Sequence, residues 1–470
     1  MSIAKDFSYK AILNISNYIL GFITFPYITR VLGSEYFGIV NFALGTIDYF
    51  MIFASLGIAT IGIREISSRR HDTDSLSRTF SRIIGLNAIC TIIVCIIYFC
   101  AVCIVPRFHE LKPLFLIGSS KIIFFALTIE WFYCGLEKFK YITICTLIIK
   151  CIYVLLVFIL IKSSADYLLY FILTISITII SGIINILYSR KYVTVVWSEF
   201  IKCTFIKENI ILGLSNIMTS MYLTFNVMFL GLVASDTQVG YYSAAFKLYF
   251  CILSIFGAFT SVMQPKMSYF IHAGASKEFN ENIRNSFNLI LLFSPILIVC
   301  CIILAPEIIS VLSGDSYRQS ISLLRISVTA LLPVSVAQVI LYQVLIPLRK
   351  DRYILFSSIC SGILALSMNI IFVPKFLSTG SVLTLITAEY STTLIHLFYI
   401  SHNKILPLPS LKMFAKGIVL SIPGIITAII AQSVFSSAII VIAISASLIS
   451  VYCIFIFRHF KSRLKFYNQN

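Results

Sequence analysis

The stretch that decides the fold is "VGYYSAAFKLYFCILSIFGAFTSVM" at residues 239–263, which is long and apolar enough to cross a membrane as one helix. Its single formal charge, Lys247, lies about a third of the way along it. The whole chain has the same character, since 59% of its 470 residues are hydrophobic, 12% are charged and the mean hydropathy is +0.97. A soluble domain has roughly half of its residues apolar and about a quarter charged. The sequence therefore predicts an all-α polytopic membrane protein.

Apolar runs of the length that a helix needs to span about 30 Å of hydrocarbon recur along the chain. The segments that separate these runs are short, and the longest of them have only about 20 residues, which leaves no room for an extramembrane catalytic domain. About fourteen spans are predicted, near residues 10–30, 38–62, 83–105, 114–134, 142–162, 167–188, 209–234, 240–263, 287–305, 321–346, 354–373, 380–401, 414–434 and 437–457.

The distribution of basic residues indicates the orientation, because short loops rich in Lys and Arg stay cytoplasmic. Of the 36 Lys and Arg residues, 26 lie in the terminal segments and in the loops after even-numbered spans, and six lie in the loops after odd-numbered spans. We therefore expect both termini to be cytoplasmic. The net charge of +17 fits this bias and an attraction to anionic lipids, and without a soluble basic domain nucleic acid is not an expected partner. The start "MSIAKDFSYK" lacks a small-residue cleavage signal, so we expect no cleaved leader.

The two halves of the sequence echo each other. "LGSEYFGIVNFA" at 32–43 recurs loosely as "VASDTQVGYYSAA" at 233–245, which aligns Gly38 with Gly240. Both copies run in the same direction, which is typical of transporters built from parallel repeats around a central binding site. We predict two six-helix bundles and two further C-terminal helices. The predicted divisions are an N-terminal bundle at 1–188, a cytoplasmic linker at 189–208, a second bundle at 209–401, and helices 13 and 14 with a basic tail at 402–470.

Five stretches stand out by their order and spacing. They are "FPYITRVLGSEYFG" at 25–38, "WFYCGLEKFKYIT" at 131–143, "VGYYSAAFKL" at 239–248, "GDSYRQSISLLRI" at 314–326 and the pattern "IPLRKDRY... NIIFVPKFLSTG... TAEY" at 346–390. Together they resemble the O-antigen flippases, which are bacterial polysaccharide exporters of the multidrug/oligosaccharidyl-lipid/polysaccharide superfamily. The match covers nearly the whole chain.

The resemblance implies a transporter of the bacterial inner membrane rather than an enzyme. Two bundles would face each other around a central cavity and rock between two states, which is alternating access. The implied substrate is an undecaprenyl-diphosphate-linked oligosaccharide, moved from the cytoplasmic to the periplasmic leaflet. A polysaccharide polymerase and a chain-length regulator are the protein partners beside which such a flippase would act.

Basic residues inside predicted spans are candidates for substrate contact, because a charge within a membrane is costly and tends to face a bundle interior or an aqueous cavity. We expect a cationic cavity for the diphosphate, lined by Lys247, Arg30, Arg325 and Lys121. For Lys247 two alternatives stay open, which are snorkelling of its long side chain to the interface and a buried ion pair with Asp48. Arg30 and Arg325 lie near helix ends, where an interfacial role is the alternative.

Acidic residues inside spans are candidates for ion pairs or for coupling to protons or Na⁺. They are Asp48, Glu130 and Glu389, and Glu130 is predicted to form a structural pair with Lys150 on the adjacent antiparallel span. The membrane potential is a third source of driving force. His396 lies near a cytoplasmic helix end, so we predict an interfacial position for it. No cofactor or metal site is predicted.

Aromatic residues close to Lys247, namely Tyr241, Tyr242 and Tyr249, are candidates for stacking against sugar rings.

Two other functions of the protein remain as alternatives. A cation-coupled multidrug exporter of the same fold should have an acidic cavity, which the basic residues in the spans disfavour. A membrane-embedded glycan polymerase or ligase should carry a large periplasmic loop with groups for acid and base catalysis, and the short loops disfavour this enzyme.

Overall fold

The computed structural model describes residues 3–202, 204–403, 405 and 409–461. These residues form helices joined by short turns, and no β-strand occurs among them. Two compact units divide the chain, Met1–Gly240 and Tyr241–Asn470. The divisions predicted from the sequence at 188, 208 and 401 stay predictions.

The first unit consists of long apolar helices with shorter helices between them. They are α1 (Ile3–Ser55), α2 (Ile58–Arg69), α3 (Thr73–Ile104), α4 (Pro106–Glu110), α5 (Lys112–Phe125), α6 (Glu130–Gly135), α7 (Phe139–Leu160), α8 (Tyr167–Ser189), α9 (Trp197–Phe200), α10 (Ile206–Ser220) and α11 (Thr224–Val233).

The second unit continues along α12 (Asp236–His272), a helix that begins at the end of the first unit. A π-helical turn, Leu341–Leu345, extends one of the helices of this unit. The remaining helices are α13 (Ser276–Ile303), α14 (Ala305–Leu312), α15 (Gln319–Ser327), α16 (Leu331–Ile340), α17 (Asp351–His402), α18 (Leu411–Val434) and α19 (Ala438–Lys461).

The predicted membrane architecture is confirmed at the level of its class. In the described part of the chain, eleven helices are long and apolar enough to cross a membrane, and a twelfth span is added if α10 and α11, bent by 51° at their junction, count as one. Every predicted span overlaps one of these helices. The number fourteen stays a prediction.

Two of the long helices are each interrupted by one non-helical residue. Gly33 has φ 69 and ψ 177 within α1, and Leu377 has φ 51 and ψ −128 within α17. A positive φ is readily adopted by glycine and is costly for leucine. It is incompatible with a right-handed α-helix, so one helical run ends and another begins at each of these residues. Each break lies between two predicted spans, the first and second in α1 and the eleventh and twelfth in α17.

The second predicted span, 38–62, is too long. α1 ends at Ser55, because Leu56 has a left-handed φ of 41. The helix break leaves backbone groups that need partners. Asn209 supplies one, since its Oδ1 accepts a hydrogen bond from the Gly57 N–H at 2.8 Å. Side-chain caps of this kind depend on tertiary structure, which hydropathy does not report.

The glycines aligned by the sequence repeat lie at a close backbone contact within the first unit. A Cβ on Gly38 would collide with the carbonyl oxygen of Asp236, and a Cβ on Gly240 would collide with that of Ser34. Only glycine lets two backbones approach this closely. The contact therefore explains why both positions carry glycine.

Candidate functional site

An ion pair joins α1 and α5 in the first unit. Lys121 Nζ lies 2.5 Å from Asp48 Oδ1, with the lysine side chain 12% exposed and the aspartate side chain 44% exposed. The pair leaves Lys121 with a partner in this conformation, so its charge is already largely balanced. Asp48, the predicted candidate partner for Lys247, is paired with Lys121 instead.

The two arginines of the predicted cavity are both exposed. Arg325 Nε donates a hydrogen bond to the carbonyl oxygen of Ile302 at 3.0 Å, in the last turn of α13. Cations are favoured at helix C-termini, where carbonyl groups lack helical partners. The guanidinium of Arg325 stays accessible, and both its cavity role and its interfacial alternative stay predictions. Arg30 lies three residues before the break at Gly33.

Lys247 is half-buried on α12, in the second unit. The three nearby tyrosines differ in accessibility, because Tyr242 and Tyr249 are 0% and 1% exposed whereas Tyr241 is partly exposed. Tyr242 stacks on Phe246 with ring centroids 5.3 Å apart. Of the three, Tyr241 alone is accessible in this conformation, and the stacking role of all three stays a prediction.

The two members of the predicted pair, Glu130 and Lys150, both lie in the first unit. The carboxylate of Glu130, at the start of α6, and the ammonium of Lys150, on α7, interact electrostatically. Glu130 is exposed and Lys150 is half-buried. The structural pair and a coupling role for Glu130 both stay predictions.

A buried polar strip runs along α17 in the second unit. Glu389 is 9% exposed, and one turn further on Thr393 Oγ1 donates to the carbonyl oxygen of Pro333 at 2.8 Å. His396, on the same side of the helix, is 2% exposed and its Nε2 lies 3.1 Å from Ser357 Oγ. His396 is therefore buried within the protein, and its predicted depth near the membrane interface stays a prediction. A membrane carboxyl such as Glu389 is a functional candidate by default.

A polar cavity that the sequence did not predict lies at one end of the first unit. Its volume is about 410 Å³, and its lining includes Glu35, Arg107, Glu110 and Asp236. Arg107 donates to Asp236 and also forms an ion pair with Glu110 at 2.6 Å. Burial alone would lower the pKa of Arg107, but the hydrogen bonds to the two carboxylates raise it. No motif marks this cluster, since its members come from three separate helices and a turn.

Gln343 is a second residue that sequence reasoning missed. It lies in the π-helical turn, is 0% exposed, and its side-chain amide has no hydrogen-bond partner among the described residues. A lone Gln within the apolar run "LYQVL" at 341–345 was the available signal. π-Helical turns recur at functional sites.

Among the described residues, no group of three or more His, Cys, Asp or Glu side chains is placed to hold a metal ion.

Comparison with known sequences agrees with the resemblance seen in the motifs. A family model described as "Polysaccharide biosynthesis protein" matches residues 3–271, which is more than half of the chain. A "Putative O-antigen transporter" of Escherichia coli (strain K12) is 23% identical over 415 residues, covering 86% of this chain and 98% of that protein. A protein of the same name from Shigella dysenteriae is 26% identical over 347 residues, covering 72% and 84%.

Two solved structures share the fold. "Lipid II flippase MurJ, inward closed conformation" matches with a TM-score of 0.77 and 17% identity, over 98% of this chain and 100% of that one. An inward-facing multidrug resistance MATE family transporter of the MOP superfamily matches with a TM-score of 0.58 and 13% identity, over 86% and 95%. At these identities the likeness establishes the fold and leaves the substrate open.

Proposed function

Because the chain belongs to the polysaccharide biosynthesis protein family, we propose that it is a flippase for an undecaprenyl-diphosphate-linked oligosaccharide. The oligosaccharide would be the repeat unit of O-antigen or of a related surface polysaccharide. The observation that carries the proposal is the combination of this family match with a full-length fold likeness to a lipid II flippase. The similar proteins are named as transporters and flippases, which supports a transport function rather than an enzymatic one.

The chain is a multi-pass inner-membrane protein in this proposal, with both termini cytoplasmic. Fourteen spans are the finer form of the architecture, arranged as two six-helix bundles in parallel repeat with two C-terminal helices. The breaks at Gly33 and Leu377 support this number, since each separates two predicted spans. The contact between the aligned glycines, Gly38 and Gly240, supports the repeat. Alternating access would follow from rocking of one bundle against the other.

The diphosphate headgroup would be held by basic side chains, and Lys247 and Arg30 are the stronger candidates. Lys121 is already balanced by Asp48 at 2.5 Å, so it would contribute less positive charge unless the pair opens during the cycle. Arg325 keeps an accessible guanidinium although its Nε is bonded to a helix carbonyl. Tyr241 would meet the glycan, and the polyprenyl chain would stay in lipid.

Coupling would use protons, Na⁺ or the membrane potential. Glu389 is the strongest carboxyl candidate for ion coupling, because it is buried within the membrane and no ion pair to it occurs among the described residues. Asp48 and Glu130 have basic neighbours and are weaker candidates. Export of a negative headgroup from a negative-inside cell gains about 2.3 kcal/mol per charge per 100 mV, so the potential alone would assist transport.

A cation-coupled multidrug exporter is the second candidate, favoured by the fold likeness to a MATE family transporter. Organic cations need an acidic cavity, however, and the predicted cavity residues of this chain are basic. A membrane-embedded polymerase or ligase has no observation in its favour.

The decisive experiment is deletion of the gene in its native host. We expect loss of the surface glycan together with accumulation of the lipid-linked repeat unit in the cytoplasmic leaflet. A polysaccharide polymerase and a chain-length regulator, the proposed partners, should be unaffected in abundance. Intact surface glycan in a strain without a second flippase gene would overturn the proposal, and hypersensitivity to cationic drugs would favour the multidrug exporter.

A further inference from the structure

The segment between α8 and α10 is clamped to the first unit by one of its faces. Glu199 is 7% exposed, and its carboxylate accepts hydrogen bonds from Arg82 Nε at 2.5 Å and from Lys202 Nζ at 2.7 Å. Ser81 Oγ accepts the N–H of Val196 at 2.8 Å. Gly85 on α3 lies against the carbonyl of Phe200, where a Cβ would collide. These contacts fix the segment, residues 190–202, which we name the linker strap.

The opposite face of the linker strap is apolar and open. Trp197 is 74% exposed, Ile201 is 77% exposed and Val195 is 42% exposed. Trp197 and Ile201 are four residues apart on one helical turn and its cap, so they project to the same side. Tryptophan is enriched where a membrane protein meets the boundary between hydrocarbon and water. A clamped segment that presents Trp and Ile outward is suited to enter that boundary.

The linker strap leads along the chain to α10, which also exposes apolar side chains. Ile206 and Ile210, one turn apart on α10, are 49% and 54% exposed. α10 belongs to the bent helix pair that is apolar enough to cross the membrane. The exposed apolar side chains of the linker strap and of α10 are thus close neighbours along the chain, Ile201 and Ile206 being five residues apart. This closeness to a helix that is apolar enough to cross the membrane favours lipid as the occupant.

Basic residues flank the apolar face. The carboxylate of Glu199 is paired with Arg82 and with Lys202, so it balances part of the local positive charge. Basic side chains attract anionic headgroups, with about 1 kcal/mol per Lys or Arg near the surface. The exposed basic residues of this region are Arg190, Lys191 and Lys207, together with Lys202, which is paired with Glu199, and one exposed acidic residue, Glu208, lies beside Lys207.

We propose that the linker strap is a lipid-docking surface, in which Trp197 and Ile201 enter the interface of one leaflet and the flanking basic residues bind anionic headgroups. The predicted topology makes this the cytoplasmic leaflet. The docking depends on the membrane position of the first unit and not on the identity of the transported substrate.

Trp197 itself is the reporter that tests the docking, because the chain has only two tryptophans and the other, Trp131, is 7% exposed. In the Trp131→Phe variant, reconstituted in vesicles of phosphatidylglycerol and phosphatidylcholine, Trp197 is the single emitter. Phosphatidylcholine brominated near the headgroup should quench most of its emission, and aqueous acrylamide should quench little. The Trp197→Phe variant, in which buried Trp131 emits alone, is the matched control and should respond weakly to both quenchers.

Two results would overturn the docking. Strong quenching by acrylamide with little quenching by brominated lipid would place Trp197 in water, and protection from both quenchers would mean that protein covers it. The binding of anionic headgroups by the basic residues has its own test. The double variant Lys191→Gln/Lys207→Gln should reduce the quenching by brominated lipid in vesicles that contain phosphatidylglycerol and leave it unchanged in pure phosphatidylcholine vesicles. Equal quenching of parent and variant in phosphatidylglycerol would contradict the headgroup contact.

Discussion

Gly38 and Gly240 make a reciprocal contact, in which each glycine lies against the carbonyl of the residue four positions before the other. The residues that supply those carbonyls are Asp236 and Ser34. Because the sequence repeat aligns Gly38 with Gly240, it also aligns Ser34 with Asp236. The contact is therefore reciprocal between positions that the sequence repeat aligns.

Alanine at either glycine should destabilise the protein. Gly38→Ala and Gly240→Ala each force a methyl group onto a backbone carbonyl, and overpacking of this kind typically costs roughly 1–3 kcal/mol. Thermal unfolding of the purified variants in detergent measures the effect. Gly21→Ala and Gly257→Ala are matched controls, because no atom lies within 4 Å of a Cβ at either helical position. Equal melting of the four variants would show that the backbones are not held this closely.

The sequence predicts the positions of the membrane helices well. Burial of apolar side chains in lipid requires long uninterrupted runs, and each run of this kind became a helix. The end of the second span was misplaced, because the break at Leu56 depends on a cap from Asn209, which lies far away in sequence. Hydropathy does not report a hydrogen-bond partner that is distant in the sequence.

The charged side chains were found from the sequence, but their partners were not. A charge within an apolar run is visible by itself, which identified Lys121, Asp48 and Glu389. Which charges meet depends on how each helix is rotated about its axis, and one sequence does not specify that rotation. Asp48 consequently pairs with Lys121, and His396 is buried within the protein, where its Nε2 lies 3.1 Å from Ser357 Oγ.

The ion pair of Arg107 with Asp236 should stabilise the first unit more than the pair of Arg107 with Glu110. Asp236 is 17% exposed and Glu110 is 61% exposed, so solvent screens the second pair more strongly. Asp236→Asn should cost about 1.5–3 kcal/mol, as for a lost hydrogen bond to a charged group. Glu110→Gln should cost at most about 1 kcal/mol.

Melting temperatures in detergent measure both effects. The exchanged variant, Arg107→Asp/Asp236→Arg, should recover part of the loss seen with Arg107→Asp alone, since it restores an attractive pair. If Glu110→Gln were the more damaging substitution, the assignment of Asp236 as the main partner would be incorrect.

Glu199 should make the stability of the first unit depend on acidic pH. Hydrogen bonds from Arg82 and Lys202 lower the pKa of this carboxyl from its ordinary value of 4.5 to about 2. A lowered pKa in the folded state means that the stabilisation is fully present above about pH 4.5 and is lost as the pH falls towards about 2. The melting difference between the parent protein and Glu199→Gln should therefore be constant above pH 4.5 and shrink below it.

The exposed carboxylate Glu208 provides the control for this pH series. Glu208→Gln should show a smaller melting difference than Glu199→Gln at neutral pH, because no clamp to α3 is lost. A melting difference for Glu199→Gln that persists unchanged down to pH 2 would mean that the carboxylate is not held by its basic neighbours.

Reporter fusions test the orientation that the basic residues predict. Fusions after residues 75, 200 and 275 should report the cytoplasm, because the positive-inside bias assigns these loops to that side. Fusions near residues 35, 109, 315 and 376 should report the periplasm. A fusion at 200 that reports the periplasm would imply an odd number of spans before the linker strap and would break the parallel repeat.

Lys247 should contribute its charge to transport. Lys247→Arg should retain much of the export, since Arg keeps the positive charge and binds phosphate well. Lys247→Gln should lose most of the export and Lys247→Glu nearly all, because a carboxylate repels a diphosphate, and this repulsion is stronger in a low-dielectric cavity. If Lys247 only snorkels, Gln should transport almost normally.

Surface glycan in a deletion strain complemented with each Lys247 variant is the measurement, normalised to the amount of inserted protein so that misfolding is not counted as lost transport. The neutral double variant Lys121→Gln/Asp48→Asn is the matched control, because it removes a membrane lysine whose charge the structure already balances at 2.5 Å. It should transport better than Lys247→Gln, since it subtracts no net charge from the headgroup site. Export by Lys247→Glu equal to that of Lys247→Arg would eliminate the electrostatic role, because the two side chains have opposite charge.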